Sequence, residues 1–321
     1  MEYKETDRMF DVICDRVQLL QMMSRFGISL GFGEKTVREV CADAGVDVTT
    51  FLAVANYLRN GASVAPLYTE RISVRALTEY LKQAHRYFLD FQLPDIRRKL
   101  IGAIDCSQTN EVAYLILKFY DEYMNDVRRH MDFENNRVFT YVDSLLSGNR
   151  PRISRGGNAP ISGIAQFSKS HVGINGKLQE LKSLIIKYYN AADATELLNN
   201  VLIDIFSCEE DLRQHCHVED DLFVPAVELL EERIAAGREP RMGEIVKADL
   251  SNALSEREKE IVACVVRGMS NKDIAEKLFI SANTVLTHRK NIFRKLDIHS
   301  VSGLTIYAIV NGIVKLDDVK L

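Results

Sequence analysis

Residues 130–139 read HMDFENNRVF and residues 215–223 read HCHVEDDLF. Each stretch sets a glutamate four positions after a histidine, His130 with Glu134 and His215 with Glu219, and then runs into apolar residues. At 3.6 residues per turn, a spacing of four stacks both side chains on one face of a helix. One such pair can be a surface hydrogen bond. Two of them, about 85 residues apart, need a common cause.

The segments around the pairs supply one. Apolar residues recur three and four apart over roughly 73–103, 109–147, 163–190 and 194–237, and GNRPRISRGGNAPISG marks a loop between the second and third of these. Four long amphipathic helices joined in this way predict an antiparallel four-helix bundle. The pairs fall on its second and fourth helices. The first and third each offer one histidine, His85 in YLKQAHRYFLDF and His171 in QFSKSHVGINGKL. Six nitrogen and oxygen ligands from four helices can enclose two metal ions, with carboxylates bridging the cations and neutral imidazoles at terminal positions. This donor set suits iron better than zinc, whose structural sites close with four ligands, often thiolates. Manganese is compatible by ligand type and is the less favoured metal. The spacing from His217 to Asp221 is also four and leaves a rival pairing open. His215 with Glu219 is preferred because it sets Val218, Leu222 and Phe223 near the same buried face.

Two smaller units flank the bundle. MFDVICDRVQLLQMMSRFGISLGFG carries an apolar stripe ending in glycines, and KTVREVCADAGVDVTTFLAVANYLR reads as two short helices broken near Gly45. Residues 1–65 therefore form a small helical domain ahead of a bundle domain at 70–237. Residues 238–251 form a linker to a last domain at 252–321. In that domain helices are predicted over 255–267, 271–278, 281–296 and 300–311, with Ser255 and Ser281 as N-caps. The second and third, joined by the tight FIS segment at 279–281, form a helix-turn-helix. The third has no acidic residue between positions 281 and 296 while carrying Arg289, Lys290, Arg294 and Lys295, which fits entry into a major groove.

Charge divides in the same way. The 321-residue chain has a net charge of -4, but from Ser251 onward eleven Lys/Arg face eight Asp/Glu, so the tail is positive and the rest acidic. Only the tail is suited to nucleic acid. The six cysteines show no CxxC and no regular spacing, which argues against a disulfide framework or a zinc knuckle. The start, MEYKETDRMF, lacks a basic region leading into an apolar run, and no apolar segment approaches 18 residues, so a cytoplasmic protein without signal peptide or membrane span is expected.

AHRYFLDFQLPDI, HMDFENNRVF, SKSHVGINGKL and HCHVEDDLFVP resemble the hemerythrin-like family, and within it the iron-sulfur cluster repair branch. The resemblance implies a non-haem di-iron centre with His85, His130, His171 and His215 as terminal ligands and Glu134 and Glu219 as bridges. TVREVCADAGVDVTTFL resembles the small domain that precedes the bundle in that branch, but Leu30, Gly31, Phe32 and Gly33 stand where that domain carries its paired cysteine. A role needing those thiols is thereby put in doubt. The tail, with LSEREKEI, RGMSNKDIA and ISANTVLTHRKNIFRKL, resembles the LuxR-type DNA-binding domain. That resemblance implies phosphate contacts from Lys272 and Thr284, and Thr287, His288 and Lys290 on the groove side. Asn283, Arg289 and Arg294 belong to the same surface. Leu286 departs from the family, which usually has lysine there.

The expected protein is all-α, with a small N-terminal helical domain, a hemerythrin-like four-helix bundle and a LuxR-type helix-turn-helix. The expected function is a one-component transcriptional regulator in which the di-iron centre binds nitric oxide, oxygen or a peroxide and modulates binding to double-stranded DNA, as a homodimer. The alternative is a di-iron redox enzyme or cluster-repair protein with an autoregulatory DNA-binding tail.

Overall fold

The computed structural model describes residues 2–104, 111–148, 163–164, 174–189, 195–236, 254–296, 298 and 300–315. His171 and the 238–251 linker lie outside the described residues. Regular structure among those described is helical, apart from an isolated antiparallel bridge between Arg8 and Thr36. None of these helices is long and apolar enough to cross a membrane. The chain divides into two compact units, Met1–Ala248 and Asp249–Leu321.

The first unit begins with α1 (Met9–Asp15), α2 (Gln18–Arg25), α3 (Val37–Asp43), α4 (Val48–Asn60) and the short α5 (Ala65–Tyr68). Thr36 and Glu39 form a capping box that starts α3, and Asp47 accepts from the Thr50 amide to start α4. Gly45 turns the chain between these helices at a φ of 66°, the left-handed region that a side chain disfavours. Helix α4 is buried on nearly every side, with Phe51, Ala53, Val54 and Ala55 all removed from solvent.

The bundle follows. Its first helix is α6 (Val74–Arg86) continued by α7 (Leu93–Ala103), and its second is α8 (Glu111–Phe133) continued by α9 (Phe139–Leu146). The described part of the third is α10 (Ile174–Tyr188), and the fourth is α11 (Thr195–Val218) continued by α12 (Val224–Ala235). The sequence predicts uninterrupted helices, but three of them contain a π-helical turn, over Tyr87–Gln92, Glu134–Val138 and Glu219–Phe223. Each is closed by a bond spanning five residues: Leu93 N–H to Phe88 O, Phe139 N–H to Glu134 O, and Val224 N–H to Glu219 O. Two have a visible cause. Pro94 and Pro225 lack an N–H, and in an α-helix their rings would meet the carbonyls of Asp90 and Asp221, a clash that one wider turn relieves.

Two apolar clusters fill this unit. One joins Met9, Leu19, Met22, Phe51 and Val54 of the N-terminal helices to Leu77, Tyr80, Val138, Phe139, Val218, Leu222 and Phe223 of the bundle. The other holds Phe88, Leu100, Tyr120, Tyr123, Val127, Leu181 and Leu212. Along the chain, His85, Glu134 and Glu219 sit where each helix passes from one cluster to the other. The break between the clusters is therefore a polar layer across the bundle.

The second unit contains α13 (Glu256–Val266), α14 (Asn271–Leu278), α15 (Ala282–Lys295) and α16 (Val301–Val310), each within two residues of its predicted bounds. Ser255 with Glu258 and Ser270 with Asp273 form capping boxes, and Ser281 caps α15 through the Thr284 amide. Ile261, Val262, Val265, Ile274, Val285, Ile292, Leu296 and Leu304 make its core. Phe279 makes the turn between α14 and α15 in the left-handed region, at a φ of 54°.

Candidate metal centre and nucleic-acid interface

His85, Glu134, His215 and Glu219 are all buried, and each offers a ligand atom within 4.8 Å of the others. They arrive from three bundle helices. His85 lies in the last turn of α6 and His215 in the last turn of α11, while Glu134 and Glu219 each open a π turn. His85 Nε2 stands 3.1 Å from His215 Nε2, 3.1 Å from Glu134 Oε2 and 3.7 Å from Glu219 Oε1. His215 Nε2 is 3.3 Å from Glu219 Oε1, and His130 Nε2, half-buried at the end of α8, is 2.6 Å from Glu134 Oε1. Glu134 thus spans two imidazoles, meeting His85 through Oε2 and His130 through Oε1, the arrangement a carboxylate shared between two cations needs. Glu219 turns a single oxygen, Oε1, toward both His215 and His85.

The surroundings ask for positive charge. Phe139 stacks on His85 at 5.4 Å between centroids, Phe88 meets His215 edge-on at 5.7 Å, and Phe139 in turn meets Phe223 at 5.7 Å. Two carboxylates in so apolar a shell must be neutralised by a cation or by protons. Within the cluster itself, burial disfavours the His85 imidazolium, but the hydrogen bonds to Glu134 and Glu219 and their charge outweigh it, pushing its pKa up to about 9. His85 Nδ1 lies 3.0 Å from Asn135 Oδ1, which can only accept. Nδ1 therefore donates, and Nε2 faces the cluster as a ligand would. The donor set and its charge fit a bound cation.

His217, two positions from His215, is exposed, and Asp221 accepts a hydrogen bond from the Tyr57 hydroxyl. The rival His217–Asp221 pairing is not the one brought to the cluster. Asn135, Phe88 and Phe139 were not singled out from the sequence. Asn135 directly follows Glu134, and only the three-dimensional approach of the first and second helices shows that it serves His85.

In the second unit, Lys272, Asn283, Thr284, Thr287, Lys290 and Arg294 are exposed, and His288 and Arg289 are half-buried. Thr284 Oγ1 lies 2.8 Å from Ser281 Oγ, and Thr287 Oγ1 donates back to the Asn283 carbonyl. Arg289 donates to Asn271 Oδ1 at 2.7 Å, so its guanidinium ties α15 to the first turn of α14. Arg294 donates to Asn291, and Lys295 Nζ lies 3.2 Å from Glu258 Oε2. Leu286, which departs from the LuxR-type resemblance, is exposed on the same helix.

Two family models match. "Hemerythrin HHE cation binding domain" covers residues 76–227, and "Bacterial regulatory proteins, luxR family" covers residues 252–308. The chain is similar to the transcriptional regulatory protein MctR of Rhizobium johnstonii, 48% identical over 73 residues, 23% of this chain and 34% of that protein. It is similar to the oxygen regulatory protein NreC of Staphylococcus haemolyticus, 50% identical over 56 residues, 17% of this chain and 26% of that protein. The fimbriae Z protein of Escherichia coli is 49% identical over 55 residues, again 17% and 26% of the two chains. The chain thus spans about a third or less of the length of these relatives. No solved structure matches it. The chain accordingly joins a hemerythrin-like domain, with a buried histidine–glutamate metal-binding cluster, to a LuxR-family helix-turn-helix domain.

Proposed function

We propose that this protein is a one-component transcriptional regulator of the cytoplasm, in which a non-haem di-iron centre senses nitric oxide, oxygen or a related redox signal and modulates binding to double-stranded DNA. The observation that carries this reading is the buried cluster of His85, Glu134, His215 and Glu219 in the same chain as a helix-turn-helix. His130 and His171 complete the ligand set, with Glu134 and Glu219 as bridges. Iron is favoured over manganese because two imidazole-rich sites sharing carboxylates suit a redox-active pair. When bound, the iron pair supplies open coordination positions for a diatomic molecule or a peroxide.

The chain's own residues do the remainder. Asn135 fixes the His85 tautomer, and Phe88, Phe139 and Phe223 keep water from the carboxylates. His215 and Glu219 belong to the fourth bundle helix, and the chain runs on from that helix through the linker to the DNA-binding unit. A displacement of the ligand pair is thus a displacement of the segment that leads to the DNA reader. On DNA, Lys272 and Thr284 serve the phosphates, Arg294 adds charge, and Asn283, Thr287, His288 and Lys290 face the groove. Arg289 steadies the two helices through Asn271. Two half-sites call for a homodimer.

The test is metal content and optical spectra on protein purified without air, before and after oxygen and nitric oxide, with DNA affinity followed in the same samples. About two irons per chain, a ligand-dependent spectrum and a matching change in affinity are expected. Two irons with unchanged affinity and repeated turnover of nitric oxide would replace the sensor by a redox enzyme. Protein that takes up no iron would refute both.

A further inference from the structure

The fourth bundle helix is gripped at two points by the N-terminal helices. Arg25, in the last turn of α2, is 6% exposed and donates to Asp211 Oδ2 at 2.5 Å, an ion pair across 186 positions of sequence. Asp211 lies four residues before His215, one turn away on the same face. The Arg25 guanidinium also sits 5.0 Å from the Phe88 ring centroid, and Phe88 packs against His215. On the far side of the ligand pair, the Tyr57 hydroxyl of α4 donates to Asp221, two residues after Glu219 within the π turn. The two grips bracket His215 and Glu219.

An ion pair buried this deeply is poor evidence for stability, because desolvating both ions offsets much of their attraction. Its geometric effect is less ambiguous. It admits one relation between α2 and α11, since any other leaves a charge unpaired in an apolar core. Tyr57 acts similarly on the π turn, where burial and its bond to Asp221 hold the phenol protonated and donating.

We propose that Arg25 and Tyr57 are positioning residues for the metal centre: through Asp211 and Asp221, the N-terminal helices hold His215 and Glu219 in register with the ligands on the other bundle helices. This rests on reading the cluster as a metal centre. It assigns the N-terminal helices a task that needs no thiols, in a chain where the paired cysteine is replaced.

The test uses the full chain with Tyr57→Phe, which removes one hydroxyl, and Arg25→Met/Asp211→Leu, which removes both charges at similar volume. Iron per chain, the rate of iron loss to an added chelator, and hydrogen exchange of the amides of residues 215–224 in metal-free protein are measured, together with overall melting. Iron content is expected to match the unsubstituted chain, while chelator-driven loss and exchange each rise about tenfold and melting of the double variant stays near that of the unsubstituted chain. Arg25→Lys, which keeps the cation, is expected to recover part of the lost protection. Unchanged exchange and unchanged iron loss in both variants would overturn the proposal. So would a rise in exchange spread evenly over the unit, which marks a merely structural role. If the unsubstituted chain binds no iron, the metal-centre reading fails by itself, and the exchange measurement still decides whether the grips hold residues 215–224.

Discussion

Replacing Glu219 by glutamine should make the metal-free protein more stable and the iron-loaded protein less so. Glu134 and Glu219 both approach the His85 imidazolium, at 3.1 and 3.7 Å, and the ligand atoms of the cluster lie within 4.8 Å of one another. At an effective dielectric of about 20, attraction of Glu219 to a charged His85 is about 4.5 kcal/mol, and repulsion between carboxylates no more than 4.8 Å apart is at least about 3.5 kcal/mol. The two nearly cancel. What remains is the cost of holding a fully buried carboxylate away from water, several kcal/mol before hydrogen bonds offset part of it. Glutamine keeps the shape, removes the charge and leaves His85 paired with Glu134, so no ion is stranded. A gain of about 2 kcal/mol follows, equivalent to about 4–8 °C in melting temperature for a unit of this size. With iron the order reverses: a site filled at a hundredfold excess over its dissociation constant adds about 2.7 kcal/mol, which a chain short of one bridge cannot collect in full. The assay is anaerobic calorimetry of both proteins with and without ferrous iron. A lower melting temperature for metal-free Glu219→Gln would refute the reasoning, because it would mean that the carboxylate is favourably paired without any metal.

Other consequences are open to direct measurement. Asn135→Leu leaves every ligand in place but frees the His85 ring, so iron affinity should fall about 10–100-fold with iron still bound at saturation; a chelator titration reads this. Lys272→Ala, which removes an ammonium assigned to a phosphate, should weaken binding to operator DNA about equally across sequences and reduce the slope of log affinity against log salt by about 1; an unchanged slope would refute that assignment. Phe279, 93% exposed at a φ of 54°, gains nothing from its ring, so Phe279→Asn should stabilise the DNA-binding unit by about 0.5–1 kcal/mol in urea unfolding. Partial burial pushes the Glu258 carboxyl up, but the Ser255 amide and hydroxyl and the Lys295 ammonium outweigh it and hold its pKa below 4.5. Its contribution is therefore complete above that value and lost as pH falls beneath it. The stability gap between wild type and Glu258→Gln should close over the same acid range.

The parts of this molecule legible in the sequence are those whose cause is local. A spacing of four puts His130 with Glu134 and His215 with Glu219 whatever surrounds them, and Ser255 announces the start of α13 by a reciprocal bond to Glu258 three residues on. The lack of acidic residues through α15 is likewise a property of one segment. What escaped depends on distant parts of the chain. Asn135 reaches His85 across 50 positions, Tyr57 reaches Asp221 across 164 and Arg25 reaches Asp211 across 186. No periodicity within a helix encodes such a partner.

The π turns fall between these cases, and they explain why the repeated phrase works as a site. A regular α-helix carrying a histidine and a glutamate one turn apart would aim both from one stripe and continue its apolar stripe undisturbed. Opening a π turn at the glutamate widens the backbone there and advances everything beyond it by about one residue. The apolar residues after Glu134 and Glu219 are thereby re-aimed into a second cluster with the N-terminal helices, as Val138, Phe139, Leu222 and Phe223 show. The same step that presents the carboxylate also turns the downstream helix toward a new partner. Pro225 was the readable trace of it on the fourth helix and Pro94 on the first, whereas the second helix reaches the same geometry through Glu134–Val138 with no proline. Proline accounts for the wider turn on the first and fourth helices, but on the second no proline requires it; since a π turn sacrifices regular helical bonding, its opening at Glu134 is better explained there by the demands of the site than by those of the bundle.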